Sequence, residues 1–141
     1  MSRPTTPLPP HSKNKSERGY GPHLMLDLND CDPRILDDLD LCFKFLDAVP
    51  EKLSMTKITS PYVFRYAGLV PEEQGITGVV VIAESHVSLH TYPIKHYVFV
   101  DIFSCKPFEV EMAKQFCTEY FSSKTNTDHL VVRGKDFPYE S

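Results

Sequence analysis

Apolar residues recur with two different periods along this chain, and the changes of period mark its elements. His23 to Leu28 (HLMLDL) is a short apolar run bounded by Gly21-Pro22 and Asn29-Asp30, the signature of a strand. Asp32-Pro33 supplies an N-cap followed by proline at the first helical position. Ile35, Leu36, Leu39, Phe43 and Leu46 then return at helical spacing as far as Pro50, which predicts one helix. Met55 to Tyr66 is rich in Thr, Ile, Val and aromatic residues and contains Pro61, so it reads as an interrupted or edge strand, followed by a loop over 67–74. Three β-rich runs, Ile76 to Ala83, Val87 to Tyr92 and Tyr97 to Phe103, are separated by breaks that suit antiparallel neighbours. Pro107 opens a second helical stripe of Phe108, Met112, Phe116 and Tyr120, widened by Ala113 and Cys117. His129 to Val132 supplies a last strand, with a tail after it. This order predicts an α+β two-layer sandwich, a mainly antiparallel sheet with two helices on one face. The other face then needs its own cover, for which a partner subunit packing sheet to sheet is one solution.

Composition narrows the function classes. The chain has 141 residues, 41% of them hydrophobic, which suits one ordinary domain. Residues 1–19 hold four of the 12 prolines, several basic and hydroxyl residues and almost nothing apolar, so they read as a disordered tail ahead of a domain at 20–141. A Pro-rich docking segment is the alternative there. Fifteen Lys and Arg against 19 Asp and Glu leave a net charge of -4, which argues against a nucleic-acid partner. No apolar stretch approaches the roughly 20 residues that span a bilayer, and no apolar core follows the basic residues near the start, so a cytoplasmic protein without a membrane partner is expected. Cys31, Cys42, Cys105 and Cys117 form no C-x-x-C pair, so free thiols are expected.

Polar groups concentrate between Gly78 and Pro93, within the strand-rich region. A metal site would draw on His86 and His90, but four residues of strand span roughly 13 Å, too far for two ligands of one ion. Alternation of His86, Ser88 and His90 with Val87 and Leu89 fits a solvated strand face. A serine with a nearby base is the third reading: Ser85 and His90, five positions apart, face opposite sides of a regular strand, so their cooperation demands a turn or bulge near Glu84-Ser85. No G-x-S-x-G elbow surrounds Ser85. Cys105 precedes the Pro107 helix, where a helix N-terminus can activate a thiol; a small buried residue at a strand end is the other reading.

Glu84-Ser85-His86, Leu89-His90-Thr91-Tyr92-Pro93 and Val100-Asp101-Ile102-Phe103-Ser104-Cys105, in that order, strongly resemble the self-processing core of the prokaryotic-type S-adenosylmethionine decarboxylase proenzymes. Gly21-Pro22-His23-Leu24 and Cys31-Asp32 are similar to the start of that family, so the resemblance covers about residues 21–133. It implies a chain that cuts itself between Glu84 and Ser85 into 1–84 and 85–141, with Ser85 converted into a covalent N-terminal pyruvoyl group. That group forms a Schiff base with a small amino-acid-type substrate and accepts electrons as CO2 leaves. The resemblance further implies His90 as the acid and base of processing, Cys105 as the general acid of turnover, and a dimer of processed protomers. Thr77 stands where the family has a second processing serine. Tyr66 matches the aromatic that stacks on adenine, with a core aromatic as the other reading, and Tyr92, within the His90 motif, is a second candidate for substrate contact.

Ile94 departs from the family, which carries a glutamate there that accepts hydrogen bonds from the ribose hydroxyls; isoleucine accepts none. The expected activity is decarboxylation of S-adenosylmethionine, the step that makes the aminopropyl donor for spermidine. Decarboxylation of L-ornithine or L-arginine is the rival, and an unprocessed regulatory homologue is the rival from a different class.

Overall fold

A computed structural model of the chain describes residues 19–139; the proposed tail, apart from Gly19, lies outside them. Six strands form one antiparallel sheet: β1 (Gly21–Asn29), β2 (Tyr62–Tyr66), β3 (Gly75–Ile82), β4 (Ser85–Tyr92), β5 (Tyr97–Ser104) and β6 (Thr125–Arg133). Their spatial order is β2-β3-β4-β5-β1-β6. Among the described residues, three α-helices, α1 (Pro33–Leu36), α2 (Leu39–Lys52) and α3 (Val110–Tyr120), lie between the strands in sequence, so the α+β sandwich expected from the pattern is what forms. Leu24, Leu26, Leu28, Val80, Ile82, Val87, Leu89, Val98, Val100 and Ile102 alternate onto one face and are buried against Cys42, Phe45, Leu46, Val49, Ala113 and Cys117 of the helices.

The predicted first helix is two. The Asp37 and Asp38 pair divides it, because the Asp38 side chain accepts from the Leu41 amide at 2.9 Å and so caps a new helix. Pro50 lies inside α2, which runs on to Lys52. α3 starts at Val110 rather than Pro107, and its buried positions are Ala113 and Cys117, while Met112 faces solvent.

Two details fix how the layers meet. Gly78 lies where a Cβ would come 2.7 Å from Leu46 Cδ1, so its lack of a side chain lets α2 settle on β3. Buried Thr91 accepts from the Ile76 amide and donates to the Leu36 carbonyl, both at 2.8 Å, tying the end of α1 to the sheet. The sheet face turned away from the helices carries His23, Met25, Thr77, Val79, Val81, His86, Ser88, His90, Phe99 and Phe103, with the edge strand β2 adding half-exposed Tyr62, Phe64 and Tyr66. This open apolar and aromatic surface is the face that the sequence left without cover.

Candidate functional site

β3 and β4 are joined through the two residues Ala83 and Glu84, with Ile82 opposite Ser85. Neither residue is a glycine or asparagine of the kind that favours a two-residue hairpin, and neighbouring chain holds the turn instead. Ile58 donates to the Val81 carbonyl at 2.9 Å and Ala83 donates to the Thr56 carbonyl at 2.8 Å. Glu84 itself is 6% exposed. Its carbonyl oxygen accepts from the Cys105 amide at 2.9 Å, and its carboxylate meets the Thr56 amide and Lys106 Nζ, each at 3.2 Å.

Ser85 opens β4 and lies opposite Ser104 at the end of β5. Ser104 Oγ donates to the Lys106 carbonyl at 2.8 Å and accepts from the Lys106 amide at 3.0 Å, folding the chain tightly just after the strand. That fold directs the Cys105 amide at Glu84. Residues 106–109 separate Cys105 from α3, whose first residue is Val110.

Gly21, at the start of β1, runs against this fold: a Cβ there would come 1.9 Å from the Ser104 carbonyl oxygen and 2.7 Å from the Cys105 Cα. The close approach brings the Tyr20 side chain beside those of Cys105 and Ser85. Burial, and then the Cys105 thiol, push the Tyr20 phenol above its ordinary value. Its ring packs on Phe103 and Phe137, with centroids 5.8 and 4.7 Å away, and Tyr139 donates to its carbonyl at 3.1 Å. The residues after β6, expected to be a tail, therefore fold back onto Tyr20. Sequence reasoning missed Tyr20; a lone aromatic outside any periodic run gives no signal.

The other candidates lie at the opposite end of the hairpin. Thr77 Oγ1 and His90 Nδ1 are 3.1 Å apart across β3 and β4. Tyr66 pairs with Gly75 at the same end, and Tyr92 meets Phe99 edge-on with centroids at 5.9 Å. Ile94 sits in the 3-10 turn Pro93–Lys95 and is 59% exposed. From Ser85 to His90 the pairing of β4 with β3 and β5 is regular, so the turn at Ala83-Glu84 does not shorten the distance between them. Five residues of strand put their Cα atoms roughly 16 Å apart. One chain thus brings Ser85, Cys105 and Tyr20 together, and separately Thr77, His90 and Tyr92, but does not unite the two sets.

Between them on the open face, His23 Nε2 and Asp101 Oδ1 are 3.2 Å apart, and the Arg133 guanidinium lies 4.1 Å above the Phe103 ring. Burial, reinforced by His23, holds the His86 imidazole below its ordinary value. Among the described residues no three His, Cys, Asp or Glu side chains gather as metal ligands would. All four cysteines are free. Burial pushes Cys31 up to about 11 and Cys42 and Cys117 up to about 12, which keeps those three as thiols near neutrality. Cys105 is the partly exposed one.

The family model for S-adenosylmethionine decarboxylase matches residues 22–134. A protein of Thermodesulfovibrio yellowstonii named S-adenosylmethionine decarboxylase proenzyme is 37% identical over 115 residues, 81% of each chain. One of the same name from Thermococcus gammatolerans is 35% identical over 116 residues, 81% of this chain and 76% of the other. The crystal structure of the adenosylmethionine decarboxylase from Aquifex aeolicus superposes with a TM-score of 0.71 at 26% identity, covering 82% of this chain and 92% of that one.

Proposed function

Because the chain belongs to the S-adenosylmethionine decarboxylase family, we propose that it is a carboxy-lyase acting on S-adenosylmethionine, armed by cutting its own backbone between Glu84 and Ser85. The single observation that carries the self-cleavage is the hydrogen bond from the Cys105 amide to the Glu84 carbonyl, 2.9 Å long, at the start of β4. This is the carbonyl that the Ser85 hydroxyl must attack. A fixed N–H donor at its oxygen polarises the carbon and receives the negative charge that attack creates, as an oxyanion hole does.

The chemistry balances within the chain and one water. Ser85 Oγ bonds to the Glu84 carbonyl carbon, the peptide nitrogen takes a proton and leaves, and an ester joins the two residues. Loss of the Ser85 α-proton then expels the Glu84 carboxylate. Water finally displaces ammonia from residue 85, leaving chains 1–84 and 85–141, the second with a pyruvoyl end. Such a group supplies an electron sink for decarboxylation of a bound α-amino acid. Cys105, partly exposed and next to the converted residue, is the proton donor to the α-carbon, and Tyr20 holds its side chain in place.

His90, with Thr77, is the acid and base of the processing step. Roughly 16 Å of strand separates it from Ser85 within one chain, so it acts on a second copy. A two-fold pairing of the open sheet faces carries the Thr77 and His90 end of one protomer over the Ser85 end of the other, and covers the exposed aromatic surface. Tyr66 and Tyr92 travel with His90 and line the substrate side of that shared site. No described helix is long and apolar enough to cross a membrane; with four free thiols, a cytoplasmic location is the consistent one.

Intact mass of the purified chain tests the reading. Two fragments meeting at 84–85 are expected, the second without a free N-terminal amine, and Ser85→Ala is expected to stay whole and inactive. A wild-type chain that remains uncut, or a Ser85→Ala chain that is cut normally, overturns it.

A further inference from the structure

The residue on the leaving side of the cleavage point is held with unusual care. Glu84 lies at the tip of a hairpin, a place that normally faces water, yet it is 6% exposed and carries a carboxylate. Burying that charge is costly unless it is paired, and nothing in the cleavage chemistry consumes the side chain. Its three oxygens nevertheless each meet a donor: the carbonyl oxygen meets the Cys105 amide at 2.9 Å, Oε1 the Thr56 amide at 3.2 Å, and Oε2 Lys106 Nζ at 3.2 Å. Two of those donors, the Cys105 amide and the Lys106 ammonium, come from consecutive residues. The Lys106 side chain is itself 24% exposed, so the pair is largely shielded from solvent screening.

We propose that Lys106 is a positioning residue for self-cleavage, its ion pair to the scissile residue Glu84 holding that residue's carbonyl oxygen on the Cys105 amide. The inference rests on the self-cleavage reading above. The loop 104–106 has its shape set by the two Ser104 hydroxyl bonds, and Lys106 fastens that loop to the hairpin tip. Without this fastening the tip and the loop are joined by the one backbone hydrogen bond that the reaction must polarise. The ammonium also brings a positive charge to the scissile residue, 3.2 Å from its carboxylate, where a largely buried cation acts with little reorganisation.

Cleavage of the full chain, synthesised in vitro and followed by gel and mass over time, separates this from a structural role. Lys106→Met is expected to slow appearance of the two fragments about 10²-fold, the loss that follows an ångström-scale misplacement of reacting groups. Lys106→Arg should stay within about threefold of wild type, since the contact is single-point and keeps its charge. Glu84→Gln with Lys106→Met should cleave no more slowly than the slower single variant, as expected of two groups acting as one pair. In a Ser85→Ala background, which keeps the chain whole, Lys106→Met should leave cooperative melting well above the assay temperature. Cleavage of Lys106→Met at the wild-type rate overturns the proposal. So does equal slowing by Lys106→Arg, or melting of the background variant below the assay temperature, because either marks a structural role. Failure of the wild-type chain to cleave overturns the self-cleavage reading itself, and this proposal with it.

Discussion

Gly21→Ala tests how closely the cleavage point depends on its surroundings. The new methyl would stand 1.9 Å from the Ser104 carbonyl oxygen and 2.7 Å from the Cys105 Cα. Both are backbone atoms, so no side-chain rotation relieves the contact. Clearing even the 3.0 Å below which Cβ contacts do not occur requires the end of β5 to retreat by 3.0 − 1.9 = 1.1 Å. The Cys105 amide moves with it, and its 2.9 Å bond to the Glu84 carbonyl lengthens toward 4 Å, past useful hydrogen bonding. A displacement of about 1 Å in a reacting constellation costs on the order of 10²-fold in rate, so self-cleavage should slow by about that factor. The assay is the time course of fragment formation, with Pro22→Ala as the neighbouring control and melting of each variant in a Ser85→Ala background as the check on folding. Gly21→Ala cleaving within about threefold of wild type would refute the argument that this approach positions the Cys105 amide, since that loss is far below the cost of an ångström-scale displacement.

Three further outcomes are expected. Cys105→Ala should still produce both fragments, because its amide remains, but turn over about 10²-fold more slowly or release a wrongly protonated product, read by CO2 release and product analysis. Unchanged rate and product would remove the thiol from the site. His90→Ala should cleave about 10²-fold more slowly, and mixing it with Ser85→Ala should restore cleavage of the His90→Ala chain if His90 is supplied across a dimer; no restoration would place its action within one chain. The fold favours the neutral His86 ring, so the stability this group contributes is complete above its ordinary value of 6.5 and is lost as pH falls through that value toward the lower folded one. Melting of the Ser85→Ala chain should therefore decline from pH 7 to pH 5.5, and less steeply with His86→Asn; equal slopes would remove His86 as a cause.

Much of the sheet was legible because β3, β4 and β5 are each runs rich in β-forming residues bounded by short breaks. The first helix was misread as continuous because periodicity does not register that Asp38 turns from helix position to cap. At the site, Ser85 and Cys105 could be singled out only through the order of motifs resembling a family; their neighbourhood follows from the pairing of Ser85 with Ser104, which a register determines and composition does not. Tyr20 was invisible for a related reason. Its position depends on the backbone of Gly21 meeting Cys105 and on Phe137 and Tyr139 returning from the far end of the chain. The strand period did forewarn that Ser85 and His90 face apart, and the regular register of β4 now turns that into a separation of roughly 16 Å within one chain.

Release of labelled CO2 from carboxyl-labelled S-adenosylmethionine, L-ornithine and L-arginine, measured side by side with one preparation of the cleaved protein, bears on the central claim most directly. Release from S-adenosylmethionine, abolished with Ser85→Ala, is the predicted result, and would mean that the nucleoside is bound without a carboxylate at Ile94. Release from ornithine or arginine alone would contradict it, and would mean that the machinery around Ser85 serves a pocket for a basic amino acid.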